Sequence, residues 1–204
     1  MGRGATSNSG GDSNRSANNS FSEQQEQLYA QQYTDQRIVY LSGDVTEQSI
    51  NSITLQLMLY ASMSNRPINL IVSTYGGCID EMFSLYDTIK FLSCPVHTIG
   101  MGKVMSAGVL VLACGEKGKR LIGQSTRIMI HSVSSSVWGT VFDVVNEAKE
   151  IQRLQDMMFD YLLKETKLTK TQLDLMFNSK VDTYLTAKEA VEFGIVDKII
   201  GLTK

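Results

Sequence analysis

Apolar and polar positions along the chain form short blocks whose period changes in a regular way. Runs rich in β-branched residues at 37–41, 68–73, 96–100 and 127–131 have the composition of strands. Between them, apolar residues recur three and four positions apart at 50, 53, 57 and 61, and again at 82, 85, 86 and 89, which is the period of an amphipathic helix. This alternation predicts an α/β fold with a parallel sheet covered by helices.

The second half of the chain predicts further helices. An apolar segment at 106–114 predicts a short buried helix, and apolar residues from 144 to 162 predict a long helix over 141–164. A helix of about 24 residues spans roughly 36 Å, so we expect part of it to project from a domain of this size. Capping boxes begin at Thr169 and Thr186, and Gly194 ends the second helix before a strand at 195–200.

The N-terminal region has a different composition. Thirteen of the first twenty residues are Gly, Ser or Asn, so residues 1–21 predict a disordered tail that buries too little apolar area to fold. Residues 22–36 are polar and predict an arm, either a short helix or an adaptable segment. We therefore expect the folded domain to occupy residues 37–204.

Charge and composition exclude several classes of protein. Among 204 residues, 19 Lys and Arg nearly balance 21 Asp and Glu, so no basic field favours nucleic acid or anionic lipid. The longest apolar runs fall well short of the roughly 18 residues that a membrane span requires. Three unclustered cysteines and the lack of a signal sequence predict a cytoplasmic protein, with an organelle matrix or stroma as the minor alternative.

Cofactor motifs are also missing from the sequence. The segment at 100–103 ends in Gly-Lys, as a phosphate-binding loop does, but Val104 stands where such a loop needs Ser or Thr. The cysteines and histidines show no zinc-ligand spacing. We therefore expect the chain to bind no cofactor and no metal.

Ser106 is the best candidate for chemistry. It lies between Gly102 and Gly108, where a predicted strand gives way to a predicted helix, so a sharp turn could expose its hydroxyl as a nucleophile. The competing interpretation is a serine that only caps the helix. Of two histidines, His131 is the better base, because it ends a strand at the edge where parallel-sheet sites form, whereas His97 lies inside one.

Two further components stay open at this point. The carboxylate that would orient the imidazole can be any of five residues: Asp80, Asp143, Asp174, Asp182 or Asp197. The Gly76-Gly77 pair after the second strand permits close approach of a substrate, so the N–H of Gly77 is a candidate donor to an oxyanion.

These segments together resemble the Clp protease proteolytic subunit (ClpP) family of serine peptidases. The segments that match, in the family's order, are Tyr-Leu-Ser-Gly at 40–43, Gly76-Gly77, Ser-Leu-Tyr-Asp-Thr at 84–88, Gly102-x-x-x-Ser106-x-Gly108, Gly-Lys-Arg at 118–120, Arg-Ile-Met-Ile-His at 127–131, and 186–197.

The resemblance implies a fold and a site. The fold would be a crotonase-like spiral of ββα units, with the long helix and the strand before it forming a projecting handle. The family's nucleophile, base and carboxylate match Ser106, His131 and Asp182, and its oxyanion donors match the N–H groups of Gly77 and Ala107. It also implies a homo-oligomer, a heptameric ring stacked as a tetradecamer, which receives unfolded polypeptides from an AAA+ unfoldase; ATP would be used only by that partner.

Some positions depart from the family's pattern. The segment 132–137 is Ser-rich where the family has Gln-Pro and then Gly-Gly, and Val181 replaces a frequent Arg. The alternatives to a peptidase subunit are therefore a catalytically weak structural or regulatory subunit of a mixed ring, or a virus-encoded maturation protease that works without the usual ATPase. An acyl-CoA enzyme of the wider crotonase fold is the weakest alternative, because it does not need this Ser, His and Asp together.

Overall fold

A computed structural model describes residues 31, 32, 34–179 and 181–201. The chain forms two compact units, Met1–Ile38 and Val39–Lys204. In the first unit, the described residues before Ile38 include a helical turn in which the N–H of Gln36 donates to the carbonyl of Gln32. The predicted tail at 1–21 and most of the polar arm at 22–36 lie outside the described residues, so both stay predictions.

Strands and helices alternate along the described chain. The strands are β1 (Ile38–Ser42), β2 (Ile68–Thr74), β3 (Val96–Met105), β4 (Leu121–Ile122), β5 (Arg127–Ile130), β6 (Thr183–Leu185) and β7 (Lys198–Ile199). The helices are α1 (Glu47–Met63), α2 (Ile79–Phe91), α3 (Ala107–Ala113), α4 (Val141–Glu165), α5 (Lys170–Asn178) and α6 (Ala187–Glu192). The predicted α/β class is confirmed.

The strands form one sheet in the order β1-β2-β3-β4-β7. Strand β3 is long enough to pair with two strands along the same edge: Ile99 and Gly100 pair with β4, and the residues from Lys103 to Met105 pair with β5. These pairs and the β2–β3 and β4–β7 pairs are parallel, as predicted. Strand β6 pairs antiparallel with β5, which the sequence did not predict.

The structure differs from the sequence prediction mainly where elements are short or contain glycine. Strand β3 continues past Gly100 to Met105, because the N–H of Gly102 donates to the Thr126 hydroxyl (2.9 Å) and the last residues of the strand pair with β5. Strand β7 is shorter than the predicted 195–200, because the N–H groups of Ile195 and Val196 donate to the carbonyl of Ala190 and close the end of α6.

The core is centred on α3. All seven residues of this helix are buried, and it contacts β2, β3 and α4. Helix α1 buries one stripe, Ile50, Ile53, Leu57 and Tyr60. Because α3 is buried on every side, it needs no polar face, which agrees with its uninterrupted apolar sequence.

A buried carboxylate ties the end of α4 to the rest of the domain. Glu165 is 3% exposed and forms ion pairs with Lys90 (2.8 Å) and Lys117 (3.1 Å). The hydroxyl of Tyr86 donates to the same carboxylate (2.9 Å). Burial raises the pKa of Tyr86, and its hydrogen bond to Glu165 adds to that effect. The last turn of α4 is thus anchored to α2 and to the loop after α3.

A second ion pair joins the end of the chain to the same loop. Two N–H groups of the Arg120 side chain donate to Asp197, to Oδ1 at 2.7 Å and to Oδ2 at 3.0 Å, and the backbone N–H groups of Gly118 and Arg120 also donate to Oδ2. Arg120 is 4% exposed, so its charge is compensated within the fold by a residue 77 positions later.

The other end of α4 is at the surface. Residues 141–149 are exposed, whereas the buried residues of this helix begin at Met158. The side chains of Trp138, Val141 and Phe142 are 91%, 77% and 81% exposed. The structure therefore has the projecting helix that the sequence predicts. Within the described ranges, none of the helices combines the length and apolar character needed to cross a membrane.

Candidate active site

Ser106 lies on a sharp turn between β3 and α3. Its backbone has φ 53° and ψ −124°, the conformation of the first central residue of a type II′ turn, which is strained for any residue with a Cβ. The N–H of Ser106 donates to the carbonyl of Met129 (2.8 Å), which extends the pairing of β3 with β5 into the turn. Ser106 occupies the N-cap position of α3, but its hydroxyl makes no capping hydrogen bond.

Glycine is required where the turn meets the segment after β2. A Cβ on Gly76, whose φ is +104°, would lie 2.6 Å from the Cβ of Ser106 and 3.0 Å from the carbonyl oxygen of Met105. A Cβ on Gly108 would collide with the side chain of Thr74. The absence of side chains at these two positions lets the turn pack closely enough to hold Ser106 in place.

His131 follows the last residue of β5 and contacts the serine. Its Nε2 lies 2.8 Å from the Oγ of Ser106, a hydrogen-bond distance along which a proton can pass. The contact arises because β3 and β5 are parallel neighbours whose carboxyl ends meet at one edge of the sheet. His97 lies elsewhere on β3, opposite Asn69 of β2, and burial lowers the pKa of its imidazole, as does nearby Lys119.

Asp182 is the aspartate that the structure places beside His131. Its Oδ1 lies 4.0 Å from Nδ1 of the imidazole, which is longer than a hydrogen bond. The Asp182 side chain is 47% exposed, and the hydroxyl of Tyr184 lies 3.5 Å from its Oδ2. The antiparallel pairing of β6 with β5 sets Thr183 opposite Ile130, and so brings the residue before β6 next to the residue after β5.

The other candidate aspartates have different surroundings. Asp143 accepts hydrogen bonds from the N–H and hydroxyl of Thr140 at the start of α4, and these bonds lower the pKa of its carboxyl group. Asp197 is paired with Arg120. Asp80 lines the cavity beside Ser106, and Asp174 lies on α5.

Two backbone N–H groups beside Ser106 form no hydrogen bond within the described part of the chain. Around Gly77, the N–H of Gly76 donates to the Thr74 hydroxyl and that of Cys78 to the carbonyl of Val45. The N–H of Ser106 donates to the carbonyl of Met129 in β5. The remaining N–H groups, those of Gly77 and Ala107, have no acceptor among the described residues, and both residues line the cavity at the serine. This arrangement can stabilise negative charge that develops next to Ser106 Oγ.

A cavity of about 470 Å³ opens beside the serine and histidine. Its polar lining comes from Ser106, His131, three serines of the segment 132–135 and two carboxylates, and its apolar lining comes from Met129, Ile151, Leu154 and Met158 among others. Asp182 is not part of the lining. The cavity is large enough for a side chain of a peptide, and the Asp182 carboxylate lies behind the imidazole rather than in the cavity.

Sequence reasoning missed the contribution of α4 to this site. Ile151, Leu154 and Met158 line the cavity along one helix stripe, and the side-chain oxygen of Gln155 accepts from the N–H of Val133 (3.1 Å). The apolar stripe was visible in the sequence, but nothing in it indicated that this stripe faces Ser106. Among the described residues, no group of three or more His, Cys, Asp or Glu side chains is arranged to hold a metal ion; the expectation of no cofactor stays a prediction.

Comparison with known proteins agrees with this architecture. A model of the Clp protease family matches residues 21–203, which include Ser106, His131 and Asp182. An ATP-dependent Clp protease proteolytic subunit from Deinococcus radiodurans is 33% identical over 169 residues, covering 82% of this chain and 82% of that protein. The chain therefore belongs to the Clp protease family.

Proposed function

We propose that this chain is the proteolytic subunit of an ATP-dependent Clp protease, a serine endopeptidase that hydrolyses peptide bonds of unfolded polypeptides. The observation that carries the proposal is the 2.8 Å contact between Ser106 Oγ and His131 Nε2, made at a strained turn and open to a cavity. Because a positive φ in a serine costs free energy, the fold has to support this turn through its packing.

In the first step, His131 Nε2 accepts the proton of Ser106 while Oγ forms a bond to the carbonyl carbon of the substrate. The electron pair of the carbonyl moves to its oxygen, and the N–H groups of Gly77 and Ala107 donate to that oxyanion. The imidazolium then gives its proton to the leaving nitrogen as the C–N bond breaks, which leaves an ester on Ser106.

In the second step, water attacks the ester carbonyl and His131 accepts the proton of that water. The tetrahedral intermediate uses the same two N–H groups, and its collapse returns the proton to Ser106 and releases the acid. Asp182 orients the imidazole and stabilises its positive charge. The reaction needs no cofactor on this chain.

We also propose that the chain works as a ring-forming oligomer. Trp138, Val141 and Phe142 present exposed apolar surface next to one another in sequence, and such surface is rare on a monomer unless a partner covers it. From the resemblance to the family, we propose that this oligomer is a heptameric ring, stacked as a tetradecamer and fed by an AAA+ unfoldase in the cytoplasm. ATP is consumed only by that partner.

A catalytically weak subunit of a mixed ring is the second candidate, and one distance favours it. The 4.0 Å gap between Asp182 Oδ1 and His131 Nδ1 leaves the imidazole without the hydrogen bond that fixes its tautomer in an active triad. The Ser-rich segment 132–137 next to the histidine also departs from the family's pattern.

Labelling with a fluorophosphonate, followed by peptide mapping, tests the two candidates. For a peptidase we expect label on Ser106, and we expect Ser106→Ala or His131→Ala to lower peptide hydrolysis by about 10⁴- to 10⁶-fold. Ser135→Ala is the matched control, because this serine also lines the cavity, whereas the serine that hydrogen-bonds to His131 is Ser106. A folded wild-type chain that neither takes the label nor cleaves peptides would support the weak subunit, and label on another serine would contradict the assignment.

A second experiment tests the partner. Cleavage of a short peptide should proceed without help, while a stably folded reporter should be degraded only when an AAA+ unfoldase and ATP are added. Rapid cleavage of the folded reporter by this chain alone would contradict stacked rings that enclose the active sites in a chamber.

A further inference from the structure

The cavity beside Ser106 is acidic. Two carboxylates, those of Asp80 and Glu147, belong to its lining, and none of the described lining residues is a lysine or an arginine. Among the described lining residues, His131 is the side chain that can become positively charged, and the proposed reaction uses it. A substrate side chain that enters this cavity therefore meets negative charge without a neighbouring positive charge from the lining.

Glu147 stands at one end of a graded stripe on α4. Glu147, Ile151, Leu154 and Met158 all line the cavity, and their burial increases along the helix from an exposed Glu147 through half-buried residues to a buried Met158. Glu147 and Ile151 are four residues apart, about 6 Å along a helix. The stripe thus places a carboxylate about one helical turn beyond an apolar wall.

Two cations that interact with residues of the cavity lining, Arg153 and Lys103, have other partners. Arg153 forms an ion pair with Glu150 at 2.5 Å, and Lys103 donates to the Ser73 hydroxyl and lies 5.0 Å from the ring centre of Tyr75. The hydrogen bond and the charge of Glu150 raise the pKa of Arg153, and the charge of Asp80 adds to that effect, so Asp80 does interact with a cation. Glu147 forms no ion pair with any residue that the structure describes. Glu147 is therefore the carboxylate that is available to a substrate.

We propose that Glu147 makes this site prefer substrates that carry lysine or arginine in the cavity. The apolar residues of the stripe would cover the aliphatic stem of such a side chain, and Glu147 would pair with its charged end. This inference rests on the proposed peptidase function. The relevant residue is the one whose carbonyl carbon is attacked, since its side chain lies nearest to Ser106 in the bound peptide.

Cleavage of matched peptides tests the preference. Three peptides should differ only at the residue before the scissile bond, which is lysine, norleucine or glutamate; norleucine has an aliphatic stem like that of lysine and no charge. For a partly exposed ion pair we expect the lysine peptide to exceed the norleucine peptide by about three- to tenfold in kcat/KM, and the glutamate peptide to be the poorest. The preference should shrink in about 1 M salt.

Two variants assign the preference to one residue. Glu147→Gln should bring the ratio of lysine to norleucine close to one, and Glu147→Lys should reverse the order of lysine and glutamate. Asp156→Asn is the matched control, because it removes the same charge from the same helix, nine residues on and thus on the opposite face. Equal rates for lysine and norleucine in the wild type, or a preference that survives Glu147→Gln, would overturn the inference.

A binding measurement separates this inference from the proposed function. Cys78 is exposed and lines the cavity, whereas Cys94 and Cys114 are buried, so a neutral maleimide should modify Cys78 first. In the Ser106→Ala variant, the lysine peptide should slow this modification at about three- to tenfold lower concentration than the norleucine peptide. Protection with that order would support the inference even if no peptide is cleaved, and equal protection by both peptides would overturn it.

Discussion

The two sides of the site are held in different ways. On the nucleophile side, Ser106 is fixed by a backbone hydrogen bond to Met129 and by close packing against Gly76, and Ala107 after it is 3% exposed. On the carboxylate side, Asp182 is 47% exposed, belongs to the flank of a three-residue strand, and stops 4.0 Å from His131. The core of the chain thus fixes the proposed nucleophile and base, whereas the aspartate proposed to orient the base depends on surface structure.

Helix α4 shows the same contrast along its length. Its last turn is anchored by the buried Glu165, and its first turns present Val141 and Phe142 to solvent. A side chain in the anchored half contributes to the stability of the isolated chain. A side chain in the exposed half contributes to stability only when a partner covers it. Substitutions in the packed regions should therefore lower the free energy of unfolding more than substitutions in the exposed regions.

Substitution at the packed glycine should destabilise the fold most. Gly76→Ala combines backbone strain at φ +104° with a collision against Ser106, so we expect it to lower the free energy of unfolding by about 2–4 kcal/mol and to reduce serine labelling. Gly43→Ala is the control, because its φ is +88° but a Cβ there meets nothing within 4 Å; strain alone predicts a loss of about 1–2 kcal/mol. Urea denaturation measures both, and equal losses would contradict tight packing at the turn.

Removal of the buried charge at the end of α4 should have the next largest effect. Burial alone raises the pKa of Glu165, but hydrogen bonds from Lys90, Tyr86 and Lys117 outweigh it and hold the pKa below its usual value. Because the folded-state pKa is the lower one, this contribution to stability is present above the unfolded-state pKa and is lost as pH falls through the folded-state pKa.

Thermal melts against pH test this contribution. Glu165→Gln should cost about 1–3 kcal/mol at neutral pH, and the variant should lose less stability than the wild type on acidification. The exposed Glu192→Gln is the control and should change neither value by more than about 0.5 kcal/mol. Parallel pH profiles for wild type and Glu165→Gln would mean that another group carries the dependence.

On the exposed side, Asp182→Asn should slow peptide hydrolysis without unfolding the chain. An aspartate that is hydrogen-bonded to the histidine of a triad contributes about 10⁴-fold, and a half-exposed one at 4.0 Å should contribute less, about 10- to 100-fold in kcat. The rate of peptide hydrolysis and the melting curve of the variant together test this expectation. A loss as large as that of Ser106→Ala would show that the carboxylate is fixed to the imidazole during the reaction, and the contrast between the two sides would then fail.

The smallest effect on the isolated fold is expected at the start of α4. Phe142→Ser should change the free energy of unfolding of the monomer by no more than about 0.5 kcal/mol, because the side chain is 81% exposed. Sedimentation should nevertheless show less oligomer than in the wild type, while Lys149→Ser, a polar change on the same exposed half, should leave assembly intact. Unchanged assembly in Phe142→Ser would exclude this surface as the interface.

The elements that the sequence predicts well are the long periodic ones. The predicted range 141–164 lies within one residue of the observed ends of α4, and the predicted stripes of α1 and α2 fall inside those helices, because burial of one helix face leaves a regular trace. Strands β4 and β6 were missed, since two or three residues are too few to show a period. The extension of β3 past Gly100 was missed because only a neighbouring strand and the Thr126 hydroxyl support it.

The site divides in a similar way. Ser106 and His131 could be singled out from local features, a turn between glycines and the end of a strand. The choice of Asp182 among five aspartates came only from the family resemblance, because its position depends on the antiparallel pairing of β6 with β5. Glu165 had one local sign, an acid on the stripe that includes Met158 and Leu162, and such a sign does not name its partners. The catalytic roles of Ser106, His131 and Asp182 stay predictions.

The Arg120–Asp197 pair has a consequence for synthesis of the chain. A ribosome adds Arg120 long before the carboxylate that compensates it, because the two residues are 77 positions apart. Until Asp197 emerges, closing the domain would bury a guanidinium without its partner, which is strongly unfavourable. Closure of the domain around Arg120 is therefore delayed until Asp197 has been added and can reach the guanidinium. A chain that stopped before Asp197 would remain open at this point.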